Sequence, residues 1–410
     1  MSKGGFGTLT SLDKAKGIFE SLKVKLGEEE VPLSEADQRF LSRSIQAPIS
    51  VPHFRKSAMD GYAVRSEDTI GATYDKAKTL KVIEVIHAGD KPSKTLSPGT
   101  CVEITTGAPL PESADSVLMV EYTESLSEDS IAIYKPVAPS ENVIAVGSDI
   151  KQGSDIFSKG IRLDSRRLGV LSALGFQTIW VFRPLRVGLL STGDEVVPPG
   201  TPLETGKIYD INSVTIFHAL QHDGCQVVPL GIAKDDPQRL LEAIQEGIKE
   251  KADFVLLSGG SSLGAEDYVV QIIKENGTLL LAGVATKPGK PTIVGKIDEV
   301  PVIGLPGHPM SALSIYYVLV RRLIWESYNF DAKPIFVQGR LTRKVVSSLG
   351  RHQFLPVHLS QEEGILKVHP ILKGSSAITG IATADGFIEI SERTEVLESG
   401  KEVKVTLFDF

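Results

Sequence analysis

The segment Arg186-Val187-Gly188-Leu189-Leu190-Ser191-Thr192-Gly193-Asp194-Glu195 decides how the chain is read. Its first six residues form a short run rich in Val and Leu, closed by a Gly-Asp turn, which predicts a strand buried on both faces. Similar runs occupy residues 225–231 and 253–258. Helical patterns cover 211–223, 236–249 and 266–275 between and after them, and a further helix is expected over 309–326. Buried strands alternating with helices predict a doubly wound α/β domain whose parallel sheet is covered on both faces.

Ligands of such sheets gather outside the carboxyl ends of the strands. The first strand leads into Ser191-Thr192-Gly193-Asp194-Glu195 and the third into Ser258-Gly259-Gly260-Ser261-Ser262-Leu263-Gly264-Ala265-Glu266-Asp267. Later come Lys287-Pro288-Gly289-Lys290-Pro291 and, before the last helix, Gly304-Leu305-Pro306-Gly307-His308-Pro309. Glycines let backbone N–H groups turn inward, and a helix start behind such a loop cradles phosphate. Lys287 and Lys290 supply cations, while Asp194, Glu195 and Asp267 are hard oxygen ligands suited to Mg²⁺. Taken singly, each loop is equally an ordinary turn, and Asp194 a helix cap. Four of them at one end of one sheet describe a phosphoanhydride or oxyanion site. His308 reads as a hydrogen-bonding residue at a helix start rather than a catalyst.

The rest of the chain has a different character. Helices are predicted over 11–24, behind Ser11 as N-cap, and from Ser34 to about Ile45, where Ser34-Glu35-Ala36-Asp37 is close to a capping box. A third, short helix lies between Ser165 and Gly175, followed by a β run over 177–182. From Ala47-Pro48-Ile49-Ser50-Val51-Pro52 to about Pro139, short β runs separated by turns predict a β-rich unit. The tail from Pro334 has alternating runs and no good helix, which predicts a small β-barrel or sandwich. Two short loops stand out in the β-rich unit: Ser57-Ala58-Met59-Asp60-Gly61-Tyr62-Ala63, and Thr105-Thr106-Gly107-Ala108-Pro109 after a β run. Each is as readily a turn as a site.

The chain has 410 residues, 41% hydrophobic and 23% charged, which fits several domains with cores of their own and rules out general disorder. A formal charge of −7 argues against a nucleic-acid binder. No apolar run is long enough to cross a bilayer, residues 1–7 hold no secretory core, and no membrane partner is expected. The two cysteines, Cys101 and Cys225, lie far apart outside any metal-binding spacing, which points to a reducing cytoplasm.

Seven motifs then occur in order: Ser57-Ala58-Met59-Asp60-Gly61-Tyr62-Ala63, Thr106-Gly107-Ala108-Pro109, Ser191-Thr192-Gly193-Asp194-Glu195, Tyr209-Asp210-x-Asn212-Ser213, Gly259-Gly260-x-Ser262-x-Gly264-x-x-Asp267, Lys287-Pro288-Gly289-Lys290-Pro291 and Leu305-Pro306-Gly307-x-Pro309. Together they span nearly the whole chain. The order resembles that of the molybdopterin molybdenumtransferases, the MoeA family, which includes the C-terminal domain of gephyrin.

The resemblance implies an elongated multidomain homodimer. Residues 8–50 and 142–183 would form a split N-terminal domain, 51–141 an inserted β-rich domain, 184–330 a molybdopterin-binding α/β domain and 331–410 a C-terminal β-barrel. It implies insertion of molybdenum, from molybdate, into adenylylated molybdopterin, with AMP released and Mg²⁺ required. The pterin would arrive from a molybdopterin adenylyltransferase. The catalytic residues implied are Asp60, Thr106, Glu195, Asp267, Lys287 and Lys290, with Glu195 and Asp267 on the metal. Ser57, Thr192, Gly193, Asp194, Asp210, Asn212, Asp235, Gly259, Gly260, Ser262, Gly264, Pro306, Gly307 and Arg351 would bind the pterin substrate, in a cleft shared between the α/β domain of one subunit and the inserted domain of its partner. The sequence departs from the pattern at His308, where the family has asparagine, at Ser261, and at Thr379-Gly380 and Asp385-Gly386. Alternatives are the adenylyltransferase step itself, a non-catalytic dimeric scaffold, and tungstate in place of molybdate.

Overall fold

A computed structural model describes residues 9–259 and 265–408. Helix α1 (Leu12–Ser21) starts where Ser11 accepts the Lys14 N–H at 3.4 Å, and it buries Leu12, Ala15 and Phe19. The expected helix from Ser34 to Ile45 does not form. Only a single 3₁₀ turn, Leu33–Glu35, is present. Phe40 and Leu41 are buried one after the other, and they bridge to Arg162 and Val181. Burial of adjacent residues on opposite sides suits extended backbone, so tertiary pairing overrides the capping signal.

The β-rich region folds as a six-stranded sheet of β1 (Gly61–Val64), β2 (Lys78–Ile86), β3 (Thr100–Ile104), β4 (Ser116–Met119), β5 (Thr123–Ser127) and β6 (Ser130–Ile133), in the order β4-β1-β3-β2-β6-β5. One hydrophobic cluster covers each face. Cys101 belongs to the first, where burial pushes its thiol up to about 12. Helix α2 (Ser165–Ala173), capped by Asp164, follows.

The α/β region contains β7 (Arg186–Thr192), α3 (Asn212–His222), β8 (Gln226–Ala233), α4 (Pro237–Lys249), β9 (Phe254–Gly259), α5 (Ala265–Asn276), β10 (Gly277–Ala282), β11 (Thr286–Lys287), β12 (Ile293–Ile297) and β13 (Val300–Leu305). A long helix follows in three contiguous pieces: α6 (Pro309–Ile315), a π turn (Tyr316–Val320) and α7 (Arg321–Ser327). The sheet order is β8-β7-β9-β13-β12-β10. The first four strands are parallel, as their apolar runs predict, and β12 and β10 extend the sheet antiparallel. Side chains alternate between the faces. Val187, Leu189, Phe254 and Leu256 join one core with α1, α3 and α7, while Leu190, Val255 and Leu257 join another with α4 and α5. In the first core lies an ionic cluster, in which Tyr316 Oη donates to Asp223 Oδ2 at 2.6 Å and Arg321 Nε to Oδ1 at 2.9 Å.

The tail closes into a five-stranded barrel, β15-β16-β14-β18-β17 and back to β15. Its strands are β14 (Phe336–Leu341), β15 (His352–Glu362), β16 (Ile365–Pro370), β17 (Gly386–Ile390) and β18 (Glu402–Leu407). Contrary to the sequence reading it holds one short helix, α8 (Ile378–Ala382), five residues whose pattern is too brief to register. Strand β11 leaves the α/β region and pairs with β15, Thr286 opposite His352 and Lys287 opposite Gln353. No described helix is long and apolar enough to cross a membrane.

Candidate functional site

The parallel register puts the ends of neighbouring strands level. Thr192 lies beside both Ala233 and Gly259, and Ser258 beside Leu305. The segments after β7, β9 and β13 therefore leave from one edge, where residues 287–291 enter β12 opposite Gly304, and the segment after β8, which the sequence reading did not include, joins them.

Each contributes a distinct feature. After β7, the Gly193 N–H donates to Ala233 O at 3.1 Å, with φ at 142°. A Cβ at Gly193 would stand 3.0 Å from Glu195 Oε2, so the Glu195 carboxylate folds back over this glycine. After β8, burial first, then the charges of Glu195 and Asp194, raises the Asp235 carboxyl above the usual carboxylate range. Its Oδ1 is buried with no hydrogen-bond partner. After β9, Gly259 fits against Thr192 so closely that a Cβ would lie 1.9 Å from the Thr192 carbonyl oxygen. Gly260, Ser262 and Gly264 lie outside the described residues, and Asp267 is exposed in the first turn of α5. After β13, Pro306 is buried, and Gly307 O accepts the Asn212 side-chain N–H at 2.7 Å. Asp210, also buried, accepts the Ser213 N–H at 3.0 Å at the start of α3.

Beneath these loops, Ser191 and Ser258 face each other across β7 and β9. Both are buried, and neither Oγ has a protein partner. Unpaired buried hydroxyls call for a ligand or water. They lie on the face covered by α3, whose start lies at the same edge.

The basic residues come from the joint with the barrel. Lys287, half-buried, points its Nζ to within 3.4 Å of Ser348 Oγ, and Arg351 precedes His352 beside Thr286. Lys290 is exposed. Asp60 and Thr106 are brought together separately, since the Thr106 N–H and hydroxyl both donate to Asp60 Oδ1, at 2.7 and 2.9 Å. These two donors, the N–H foremost, hold the Asp60 carboxyl below its ordinary range. Ser57 braces the same turn, its N–H donating to Ala108 O at 3.0 Å and its carbonyl accepting the Gly107 N–H at 2.8 Å. Thus the predicted residues form two groups, one on the six-stranded sheet of β1 to β6 and one along the α/β edge with the barrel joint. Among the described residues, no three or more His, Cys, Asp or Glu gather into a metal-holding cluster. A cavity of about 600 Å³, lined by Tyr317, Trp325, Phe336 and Phe354 among others, lies apart from both groups.

Sequence reasoning missed Ser348, Ser375 and Lys207. Lys207 Nζ donates to Asp194 O at 2.8 Å, and Ser375 Oγ lies 3.0 Å from His308 Nδ1. Serines and lysines in polar loops carry no periodic signal, and their partners stand far away in the chain.

Three family descriptions match in succession: the MoeA N-terminal region (domain I and II) over residues 10–175, a probable molybdopterin binding domain over 188–325, and the MoeA C-terminal region (domain IV) over 338–408. The chain is 32% identical over 406 residues to the molybdopterin molybdenumtransferase of Haemophilus influenzae, covering 98% of this chain and 99% of that one. The chain belongs to the molybdopterin molybdenumtransferase family. It is 34% identical to molybdopterin molybdenumtransferase 2 of Mycobacterium tuberculosis, over 92% of this chain and 94% of that one. The crystal structure of the molybdopterin biosynthesis MoeA protein from Pyrococcus horikoshii superimposes with a TM-score of 0.86 at 40% identity, covering 98% of this chain and 100% of that one. Members of the molybdenumtransferase family are enzymes, and this chain is one of them. The α/β edge loops fall within the molybdopterin-binding match, Asp60 and Thr106 within the N-terminal match, and Arg351 within the C-terminal match.

Proposed function

We propose that the protein inserts molybdenum into molybdopterin, using molybdate and the adenylylated pterin and releasing AMP. The observation that carries this reading is the shared edge of β8, β7, β9 and β13. There, backbone-exposing glycines, the partnerless hydroxyls of Ser191 and Ser258 and the unpaired Asp235 oxygen stand together. Such an edge binds anions through preorganised donors at low cost in reorganisation. The lysines of 287–290 add full charges for the pyrophosphate or the tetrahedral oxyanion, and Arg351 belongs to the same joint. The dithiolene sulfurs that receive molybdenum belong to the pterin, so the lack of exposed cysteine is no obstacle.

The residues also suit Mg²⁺. Asp235 keeps a buried oxygen without a partner, and burial first, then the Glu195 and Asp194 charges, raises its carboxyl; the charge repulsion is what a divalent cation relieves. Mg²⁺ takes one or two carboxylates and fills its other positions with substrate oxygens and water, so a larger protein cluster is not required. Asp235 and Glu195 would hold it; Asp267, exposed in the first turn of α5, does not gather with them into a three-carboxylate cluster. Bound there, the cation would offset charge on the pyrophosphate as the P–O–P bond breaks.

The Asp60–Thr106 group completes the site from a second subunit in this reading. Exposed Met59 and Val120 flank Asp60, and exposed Ile208, Tyr209 and Ile211 flank Asp210, apolar surfaces that support pairing of two copies. A cytoplasmic enzyme that receives its pterin from an adenylyltransferase fits this chemistry. The test is incubation of the purified protein with adenylylated molybdopterin, Mg²⁺ and either molybdate or tungstate. AMP release that requires the oxyanion and Mg²⁺, with metal-loaded pterin formed, is the expected result. AMP release without oxyanion, or a monomer of full activity, would overturn it.

A further inference from the structure

We propose that His308 is a positioning residue that pins a strap of the C-terminal barrel, residues 371–377, across the open side of the α/β edge. His308 immediately precedes α6 with extended backbone, φ −71° and ψ 129°, the place where a short polar side chain normally caps a helix. Its imidazole makes no capping bond. It reaches instead to the other domain, with Nδ1 3.0 Å from Ser375 Oγ.

The strap then does for α6 what a cap would have done. The Met310 N–H, one of the first-turn donors that a helix leaves unsatisfied, donates to Ser375 O at 3.3 Å. Packing seals the same contact. Met310 is buried, and at Gly380 in α8 a Cβ would stand 3.0 Å from Met310 Cε and 3.1 Å from Ile371 Cγ2. There is room for the strap to lie against α6, and no spare room.

The His308 end of the contact is rigid. Gly307 is anchored from below by Asn212, so the backbone that carries the imidazole is fixed to the sheet edge. The barrel is otherwise joined to this edge through β11–β15 and Lys287–Ser348. Phe354 and Phe387 of the barrel also pack on the α/β core, and the Phe408 ring lies 4.9 Å from Tyr317, so the barrel is held at its base and at β11, and His308 adds a contact at the rim. Asparagine at this position would be a strong helix cap, with a side chain suited to its own first turn. Histidine here replaces that local bond with one between domains.

The inference rests on the proposed reaction only for its kinetic part, and hydrogen exchange tests the contact independently of it. The full-length protein and its His308→Asn, Ser375→Ala and doubly substituted variants are compared by exchange at the amides of 371–380. His308→Asn restores a local cap, so the variant stays folded while the strap is released. Each single variant should speed strap exchange roughly fivefold, the loss of one neutral hydrogen bond, and the double variant should add little more. In molybdenum insertion, KM for the oxyanion should rise several-fold with kcat close to that of the parent. Unchanged strap exchange in both single variants, or additive effects in the double, would overturn the contact. Faster exchange with KM unchanged would overturn the positioning role. A parent protein inactive in insertion would instead refute the proposed reaction, and the exchange data alone would decide the strap.

Discussion

Replacing Gly259 by alanine tests whether the sheet edge is built as described. The new methyl would sit 1.9 Å from Thr192 O, 2.6 Å from its Oγ1 and 2.8 Å from its carbonyl carbon. The obstacle is backbone, so no rotamer change relieves it. The φ of 142° is itself unfavourable for any residue with a Cβ, at about 1–3 kcal/mol. Relief requires β7 and β9 to part at the Thr192–Gly259 pair, which forfeits ladder hydrogen bonds worth about 0.5–1.5 kcal/mol each. With two such bonds lost, the sum is about 2–6 kcal/mol, a large share of the roughly 5–15 kcal/mol that holds a typical domain folded. Urea unfolding followed by Trp325 fluorescence reads it, because Trp325 packs against the core that contains β7 and β9. Gly193→Ala is the control. It has the same φ, but its Cβ meets the Glu195 and Val196 side chains, which can move, so activity should fall further than stability. A Gly259→Ala protein within about 1 kcal/mol of the parent and fully active would refute the close approach of the two strands.

Other expectations follow from the same geometry. Arg321→Met strips the cation from buried Asp223 and should cost about 3–5 kcal/mol in denaturant unfolding, since an uncompensated charge remains. Thr106→Val removes one of the donors that lower the Asp60 pKa. Its carboxylate should then titrate higher, measured by NMR, and any acid limb of activity that depends on it should move up in pH. Asp235 has a raised pKa, so the folded state binds the extra proton and stability falls as pH rises from the usual carboxylate range through the raised value. Asp235→Asn should flatten that fall, and Mg²⁺ should raise Tm less in the variant than in the parent. Lys287→Ala should lower molybdenum insertion by orders of magnitude with circular dichroism unchanged; near-normal turnover would remove Lys287 from the site.

The α/β core was legible because its strands are buried on both faces and so read as unbroken apolar runs, and because glycine, serine and lysine recur after each. The helix expected after Ser34 shows the opposite case. A capping pattern is a local preference of about a kilocalorie, and side-by-side burial of Phe40 and Leu41 outweighs it. The antiparallel pair β12 and β10 carries the same apolar signature as the parallel strands, so direction could not be read from composition. In the site, Asp60 and Thr106 were singled out by motif, yet their pairing depends on β1 and β3 lying side by side, which no local pattern encodes. His308 departs from the motif and, by sequence, reads as a helix-start residue. Its partner lies 67 positions away, beyond the reach of any spacing argument.

The π turn at Tyr316–Val320 has a consequence for the edge it lies behind. In a regular α-helix, residues five apart diverge by about 140° around the axis, so Tyr316 and Arg321 could not both grip Asp223. The extra residue in the wide turn brings them round to one side. It also sets the rotational phase between the two ends of the rod: α7 is clamped in the interior, and α6 carries Met310 and the strap contact at the rim. Deleting one residue from the turn would tighten it and swing the rim end by about a quarter turn against the clamped end. The angular setting of the domain joint is thus fixed by a single inserted residue two helical turns from it.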